Sequence, residues 1–214
     1  MRILCINTAF ANSDVAIKFD ETVDSIVLPS SAKQAENILC AVDELVSKNN
    51  INVQQFDAMS CVVGPGSFTG VRIGVGLIKG MKLANPKIKL VSICSLDFMA
   101  YIWSKKQPTG EYWCVLNALS GNIFACKYDK QGNRLTQPKM MFGEELADIK
   151  GQVVGLVDEN IELATDNIKL DALSLLDFSE HKYDSNDFVS ESEFLPIYLR
   201  KSQAESQLEQ KNGN

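Results

Sequence analysis

Residues 64–80 read GPGSFTGVRIGVGLIKG and hold six of the thirteen glycines in the chain. An apolar run at 58–63 precedes this segment. Helical spacing of apolar residues then extends from Phe68 to Ala84 and ends at Asn85-Pro86. A strand that passes through a glycine turn into a helix presents the helix N-terminus to solvent, where phosphate groups bind. A phosphate-binding loop is therefore the first hypothesis for this segment.

The spacing of the segment matches neither common nucleotide-binding motif. A P-loop has Gly-Lys-Ser/Thr after four intervening residues, whereas Lys79 precedes a glycine and no hydroxyl residue follows it. The dinucleotide-binding pattern fails as well, because Gly64 and Gly66 are not followed by a glycine at position 69. Spacing alone therefore disfavours a nucleotide loop.

The helix predicted at 68–84 contains four glycines between positions 70 and 80. Each costs about 0.5–1 kcal/mol relative to alanine, or roughly 2–4 kcal/mol in total, which packing must offset. One helix face collects Gly70, Gly74, Leu77 and Met81, with Ile73 beside them. That face either receives a helix of another polypeptide or is covered within the chain, by its own sheet and the helix at 32–46. The pattern leaves both alternatives open.

Composition limits the class of protein. The chain has 214 residues, 45% hydrophobic and 22% charged, which fits one large or two small globular domains. The formal net charge of −6 argues against a stand-alone nucleic-acid binder and against a protein that binds anionic membranes. A local basic edge is still available, from Arg72, Lys79, Lys82, Lys87 and Lys89.

The six cysteines are widely spaced, with no Cys-x-x-Cys pair. The chain shows no secretory signal pattern and no apolar stretch near the roughly 20 residues that span a bilayer. We therefore expect reduced thiols and a cytoplasmic location.

The order of elements predicts an α/β fold with a mixed sheet and helices on its faces, because three early strands precede alternating helices and strands. In the first half we predict strands at 2–7, 14–19, 25–28, 58–63 and 88–93 and helices at 32–46, 68–84 and 95–102. In the second half we predict strands at 112–116, 122–129 and 152–157, a helix at 144–149, a polar and poorly periodic stretch at 158–192, an apolar run at 195–200 and, at most, a fraying helix at 201–214.

Residues 63–74, Val-Gly-Pro-Gly-Ser-Phe-Thr-Gly-Val-Arg-Ile-Gly, closely resemble the signature of the TsaB family, also called YeaZ. Further matches are Ile6-Asn7-Thr8, Ser92-Ile93-Cys94-Ser95-Leu96 and Pro196-Ile197-Tyr198-Leu199-Arg200. Order and spacing agree over nearly the whole chain, although residues 130–190 match weakly.

The resemblance implies the actin-like ATPase fold of the Hsp70 and sugar-kinase superfamily, in two small α/β lobes that each hold a mixed sheet and flanking helices. The N-terminal lobe would comprise residues 1–104 and the smaller C-terminal lobe residues 105–192. The segment 193–214 would pack back on the N-terminal lobe.

The resemblance also implies a function. Members of the family belong to the bacterial machinery that makes N6-threonylcarbamoyladenosine at position 37 of tRNA. TsaB pairs there with its paralogue TsaD, which carries the metal, the nucleotide and the transfer chemistry, and the ATPase TsaE completes the complex. The chain would be a non-catalytic scaffold that touches tRNA only indirectly and forms a homodimer when TsaD is absent. No cofactor would bind firmly to this chain alone.

The helices at 32–46 and 67–84 would form the contact with TsaD, which favours an intermolecular glycine face. The implied interface residues are Ala35, Ile38, Leu39, Val42, Gly70, Ile73, Gly74, Leu77 and Met81, preceded by the loop Gly64, Pro65, Gly66 and Ser67. A bulky residue at Gly70 or Gly74 should then abolish the heterodimer and leave the monomer folded. Where family members often have His-Ser-Glu, this chain has Gln34-Ala35-Glu36 after Lys33, so that only the glutamate is retained.

The residue types argue against catalysis by this chain. His181 is the one histidine, so a two-histidine metal site and Ser–His or Cys–His chemistry are not available. Asn7 and Asn117 stand where actin-like ATPases carry aspartates for magnesium, and an amide is a poorer ligand than a carboxylate. Asn7, Thr8 and Asn117 would be a vestigial phosphate site, or Asn7 and Thr8 would only close a turn. Ser67 is predicted to be a helix N-cap.

Two other functions remain as alternatives. One is an independent actin-fold ATPase or small-molecule kinase with a weak nucleotide site. The other is a tRNA-binding adaptor that uses the local basic edge, with salt-dependent binding.

Overall fold

The computed structural model describes residues 1–29, 33–118, 121–157, 163 and 165–199. Its first five strands form one sheet in the order β3-β2-β1-β4-β5. They are β1 (Arg2–Asn7), β2 (Ser13–Phe19), β3 (Thr22–Leu28), β4 (Ala58–Gly64) and β5 (Lys89–Cys94). The β1–β2 and β2–β3 pairs are antiparallel, whereas β4 and β5 run parallel to β1. The sheet is therefore mixed.

Helices supply the crossovers that parallel strands require. Helix α1 (Gln34–Lys48) contacts β2 and β3, and α2 (Phe68–Ala84) contacts β4 and β1. The other face of the sheet is covered by α4 (Ala172–Asp184), where the hydroxyls of Ser60 on β4 and Ser179 on α4 lie 2.6 Å apart. The hydrophobic core of this lobe lies on both sides of the sheet.

The second sheet has the order β8-β7-β6-β9, with β9 parallel to β6 and the other pairs antiparallel. Its strands are β6 (Tyr112–Asn117), β7 (Ile123–Tyr128), β8 (Lys139–Met141) and β9 (Gln152–Leu156). Helix α3 (Ser95–Ser104) follows β5 and packs on β6, β7 and β9, which joins the two lobes. Asp97 of α3 accepts two hydrogen bonds from Arg134, at 2.6 and 2.5 Å, and one from the Tyr128 hydroxyl at 2.8 Å.

Two mixed sheets with flanking helices confirm the predicted fold class. The helix predicted at 68–84 is confirmed, and Ser67 is its N-cap, since the side chain accepts a hydrogen bond from the Gly70 amide at 3.1 Å. Among the described residues, no helix combines the length and the apolar character needed to cross a membrane. The fraying helix predicted at 201–214 lies outside the described residues.

The second half differs from the prediction in three respects. The helix predicted at 144–149 is a 3-10 helix at Gly143–Asp148, and strand β8 was not predicted. Helix α4 lies within the stretch described as poorly periodic, and it packs on the first sheet although residues 105–192 were assigned to the second lobe. The buried side of α4 includes Ser179, which interrupts the apolar pattern but is satisfied by Ser60 and by the carbonyl of Leu175.

Helix α2 lies unusually close to its own sheet, because two of its glycines have no side chain. A Cβ atom at Gly70 would lie 1.8 Å from the Thr8 carbonyl oxygen. A Cβ atom at Gly74 would lie 2.6 Å from Thr8 Oγ1 and 2.8 Å from Cys61 Sγ. The expectation that these two glycines face a second polypeptide is therefore wrong: β1 and β4 already cover them.

Alanine substitutions at Gly70 and Gly76 of α2 should change stability in opposite directions. At Gly70 an added methyl group meets backbone atoms, so Gly70→Ala should lower the free energy of unfolding by about 3 kcal/mol, the upper part of the usual range for overpacking. At Gly76 nothing lies within 4 Å of the added atom. Gly76→Ala should therefore raise the free energy of unfolding by about 0.5–1 kcal/mol. Urea denaturation of the two variants beside the wild type measures both changes; equal effects at the two positions would contradict this account.

Candidate functional site

The predicted interface residues fall into two groups in the structure. Ile38, Val42, Gly70 and Gly74 are buried inside the chain, so they cannot contact a partner. Ala35 and Leu39 are exposed, and Ile73, Leu77 and Met81 are half-buried. Because α1 and α2 each use one side to cover the sheet, only the residues on their outer sides remain accessible.

The outer sides of the neighbouring helices α1 and α2 carry accessible apolar and glycine residues, and we call these residues together the helical face. Its members are Ala35, Leu39, Ile73, Gly76, Leu77, Gly80 and Leu83. Leu39 is 53% exposed and Leu83 is 73% exposed, both high values for leucine. Gly76 and Gly80 have no neighbouring atom within 4 Å of an added Cβ, so they leave the surface flat at its centre. A flat apolar strip between protruding leucines is a surface on which a helix can pack closely.

Sequence reasoning missed Gly76, Gly80 and Leu83. Their spacing of four and then three residues places them on one helix face, which is a signal present in the sequence. The same spacing also occurs at Gly70, Gly74 and Leu77, and the two sets are chemically alike. Only the position of Thr8 beneath Gly70 shows which set contacts the sheet.

The C-terminal segment borders the helical face at the start of α2. The Ile197 amide donates a hydrogen bond to the Val63 carbonyl at 2.7 Å. Arg72 of α2 lies 3.9 Å from the centre of the Phe68 ring and donates a hydrogen bond from Nε to the Tyr198 hydroxyl at 2.7 Å. These contacts hold the first turn of α2 between residues 197–198 and the sheet.

A cleft of about 710 Å³ opens between the two lobes, beside the start of α2. The predicted loop residues Gly66 and Ser67 lie on one wall, and Asn117 at the end of β6 lies on another. The described residues that line the cleft are Ala9, Phe10, Ala11, Gly66, Ser67, Phe68, Thr69, Leu116, Asn117, Ala118, Phe124, Leu156 and Val157. None of these described side chains is charged, and most are apolar.

Asn7 and Thr8 are used by the fold itself. The Asn7 side chain donates to Asp14 Oδ2 at 2.8 Å and accepts from the Ala9 amide at 3.0 Å, which closes the turn between β1 and β2. Thr8 donates its hydroxyl hydrogen to the Gly70 carbonyl at 2.6 Å. Both residues are almost completely buried. Neither residue is among the described residues that line the cleft, whereas Asn117 is.

An actin-like fold suggests a nucleotide with magnesium in this cleft, and the residues present do not fit that group. Magnesium is held through carboxylates together with phosphate oxygens, and the lining offers one side-chain amide and two hydroxyl groups. Among the described residues there is no group of three histidine, cysteine or acidic side chains that could hold a metal ion.

The buried thiols of Cys5 and Cys94 are poor nucleophiles. Burial raises the pKa of the Cys5 thiol to about 11 and that of Cys94 to about 12, so both stay protonated at neutral pH. His181 is exposed on α4, where its ring lies 5.3 Å from Tyr101. Cys40, also exposed, lies on the outer side of α1.

Comparisons with known proteins agree with this two-lobed architecture. The family model described as "TsaD: tRNA N6-adenosine threonylcarbamoyltransferase" matches residues 11–183. A tRNA threonylcarbamoyladenosine biosynthesis protein TsaB from Escherichia coli is 29% identical over 133 residues, which cover 62% of this chain and 57% of that protein. The protein of the same name from Haemophilus influenzae is 22% identical, with 94% of each chain covered.

The solved structure of YeaZ from Pseudomonas aeruginosa has a TM-score of 0.73 at 19% identity and covers 92% of this chain and 99% of its own. The chain therefore shares the fold of YeaZ over both of its lobes. The chain belongs to the TsaB/YeaZ family, within the broader family that the TsaD description denotes.

The buried Asp14 predicts a pH dependence of stability. Burial raises the pKa of the Asp14 carboxyl above its ordinary value, although the hydrogen bond from Asn7 opposes the change. A group whose pKa is raised on folding binds its proton more tightly in the native state. The wild type should therefore lose stability as the pH rises from about 4 through the native pKa of Asp14.

Asp14→Asn removes this pH dependence because an amide does not titrate, and the amide oxygen can still accept the hydrogen bond from Asn7. The stability of the variant relative to the wild type should thus be higher at pH 7 than at pH 4, measured by urea denaturation at both values. Asp148→Asn, which replaces an exposed carboxyl group, is the matched control. Its stability relative to the wild type should be the same at pH 4 and pH 7.

Proposed function

We propose that the chain is a non-catalytic scaffold and activator subunit of the machinery that makes N6-threonylcarbamoyladenosine in tRNA. It docks onto the catalytic paralogue TsaD through α1 and α2. The helical face is the observation that carries this proposal. The role in tRNA threonylcarbamoyladenosine synthesis is supported by family membership and by the relatives that carry this function in their names.

The helical face suits a partner that stays bound. Leucine side chains exposed by half or more leave apolar area in water, and burying such area favours association by roughly 25 cal/mol per Å². Gly76 and Gly80 let a second backbone approach without steric hindrance, as small residues do between packed helices. Ile38, Val42, Gly70 and Gly74 hold α1 and α2 on the sheet and so fix the shape of this face.

The other parts of the proposal concern what this chain leaves to its partners. Because no described residue that lines the interlobe cleft is charged, we propose that the chain alone binds no nucleotide or metal firmly and that ATP or ADP and metal bind to TsaD and TsaE. TsaE joins in the larger complex, a second copy occupies the helical face when TsaD is absent, and tRNA contacts are indirect. The complex acts in the cytoplasm.

An independent ATPase or small-molecule kinase is the second candidate, favoured by the volume of the interlobe cleft. Against it, Thr8 is bonded to the backbone of α2 and Asn7 to the turn that it closes. A phosphate group would have to displace these contacts before either side chain could bind it.

Docking predicts that bulk on the helical face prevents binding while the monomer stays folded. Gly76→Leu and Gly80→Leu add side chains into open space and replace a poor helix former. Each should weaken binding to the TsaD protein of the same organism by at least about tenfold, since about 1.4 kcal/mol of lost contact suffices. The thermal midpoint should not fall. Isothermal titration calorimetry and thermal denaturation measure the two effects.

Gly110→Leu is the matched control, because Gly110 also has open space around an added Cβ but lies in the connection between α3 and β6. It should bind TsaD like the wild type. Undiminished binding by Gly76→Leu and Gly80→Leu would reject docking through the helical face.

The two candidate functions differ in nucleotide binding. We expect calorimetry of the isolated chain with ATP and magnesium to give no binding heat at micromolar nucleotide concentrations. A saturable heat, lost in Thr69→Asp at the cleft wall, would favour the kinase candidate. Leu173→Asp is the control, since it adds the same charge on α4, where Leu173 is 56% exposed.

A further inference from the structure

The two helices of the helical face carry opposite charge. Helix α1 has three acidic residues and one lysine, so 1 − 3 gives −2. Its acidic members are Glu36, Asp43 and Glu44. Helix α2 has Arg72, Lys79 and Lys82 and no acidic residue, which gives +3. The whole chain has a formal net charge of −6, so the basic helix contrasts with the rest of the protein.

These charges lie on opposite borders of the apolar strip. Lys82 donates hydrogen bonds to the carbonyls of Pro86 and Ile88, at the start of β5. Lys79, one turn earlier, therefore lies on the β5 side of α2, away from α1. Helix α1 lies over β2 and β3, toward the other edge of the sheet.

On α1, the exposed Asp43 follows Leu39 by four residues and so borders the same strip. Lys48, the one basic residue of α1, pairs with Asp24 of β3 at 2.8 Å, on the flank that faces away from α2. Seen from a docking partner, the helical face has an acidic edge at α1, an apolar centre and a basic edge at α2.

We propose that this charge separation selects the partner and fixes its orientation: the helical face accepts a pair of helices that places basic side chains over α1 and acidic side chains over α2. This inference rests on the proposed docking function and specifies the chemistry of the partner surface. Complementary charge at the border of an interface speeds association and disfavours wrong registers. The apolar centre supplies the affinity.

The arrangement also limits how two copies of this chain can meet. A two-fold axis parallel to the helices sets α1 of one copy over α2 of the other, which pairs acidic with basic edges. A two-fold axis across the helices sets α1 over α1 and places like charges together. A different protein that carries the complementary charges need not be related to this chain by a two-fold axis, so this limit on orientation does not apply to it.

Charge reversal at the two edges tests the inference. Asp43→Lys and Lys79→Glu change exposed or half-exposed side chains and leave the apolar centre intact. Binding to the TsaD protein of the same organism, followed by surface plasmon resonance, should weaken about five- to tenfold for each variant in about 50 mM salt. The loss should appear mainly in the association rate and shrink below about twofold in 500 mM salt, where charges are screened. The double variant should bind more weakly than either single variant.

Glu191→Lys and Lys130→Glu are matched controls, because they make the same charge changes at exposed positions outside the helical face. They should bind within about twofold of the wild type. If the wild type binds TsaD and the edge variants bind equally well at low salt, the charge-selection inference is wrong and docking stands. If the wild type does not bind TsaD at any salt concentration, the proposed function is wrong and the inference falls with it.

Discussion

The close contact between α2 and the carboxyl end of β1 is the constraint on which the rest of the molecule depends. Gly70 and Gly74 allow the helix backbone to reach Thr8, and the Thr8 hydroxyl then bonds to the Gly70 carbonyl at 2.6 Å. This contact has two effects. It turns Gly76 and Gly80 of α2 toward solvent. It also engages the Thr8 hydroxyl, which the sequence analysis assigned to a phosphate site, in a hydrogen bond within the fold. The accessibility of Gly76 and Gly80 and the use of Thr8 by the fold thus have one cause.

The sequence predicted the architecture better than the exposure of individual residues. Helix α2 was placed correctly because Ser67 and Asn85-Pro86 mark its ends. Its accessible side was assigned wrongly, because glycine pairs at 70 and 74 and at 76 and 80 have the same spacing, and nothing local shows which pair meets Thr8. Helix α4 was missed for a related reason. The serine on its buried side is paired with Ser60, more than one hundred residues earlier, and such a long-range contact leaves no periodic signal.

The interlobe cleft and the helical face differ in the side chains that they present. Magnesium and phosphate are held with the help of charged groups, and the described residues that line the cleft include none. The helical face, in contrast, combines accessible leucines with flat glycine positions and charged borders. In the proposed function, the chain influences a reaction through the conformation of its partner. The fold would then be a rigid support that keeps two helices in register.

The position of the C-terminal segment has a practical consequence for handling the protein. The structure leaves its last described residue, Leu199, next to Tyr198, which holds Arg72 at the border of the helical face. Tyr198 is 45% exposed, and the centre of its ring lies 5.0 Å from that of Phe68 in the first turn of α2. A reporter dye attached at position 198 would therefore lie beside the start of α2 and respond to a molecule that binds there.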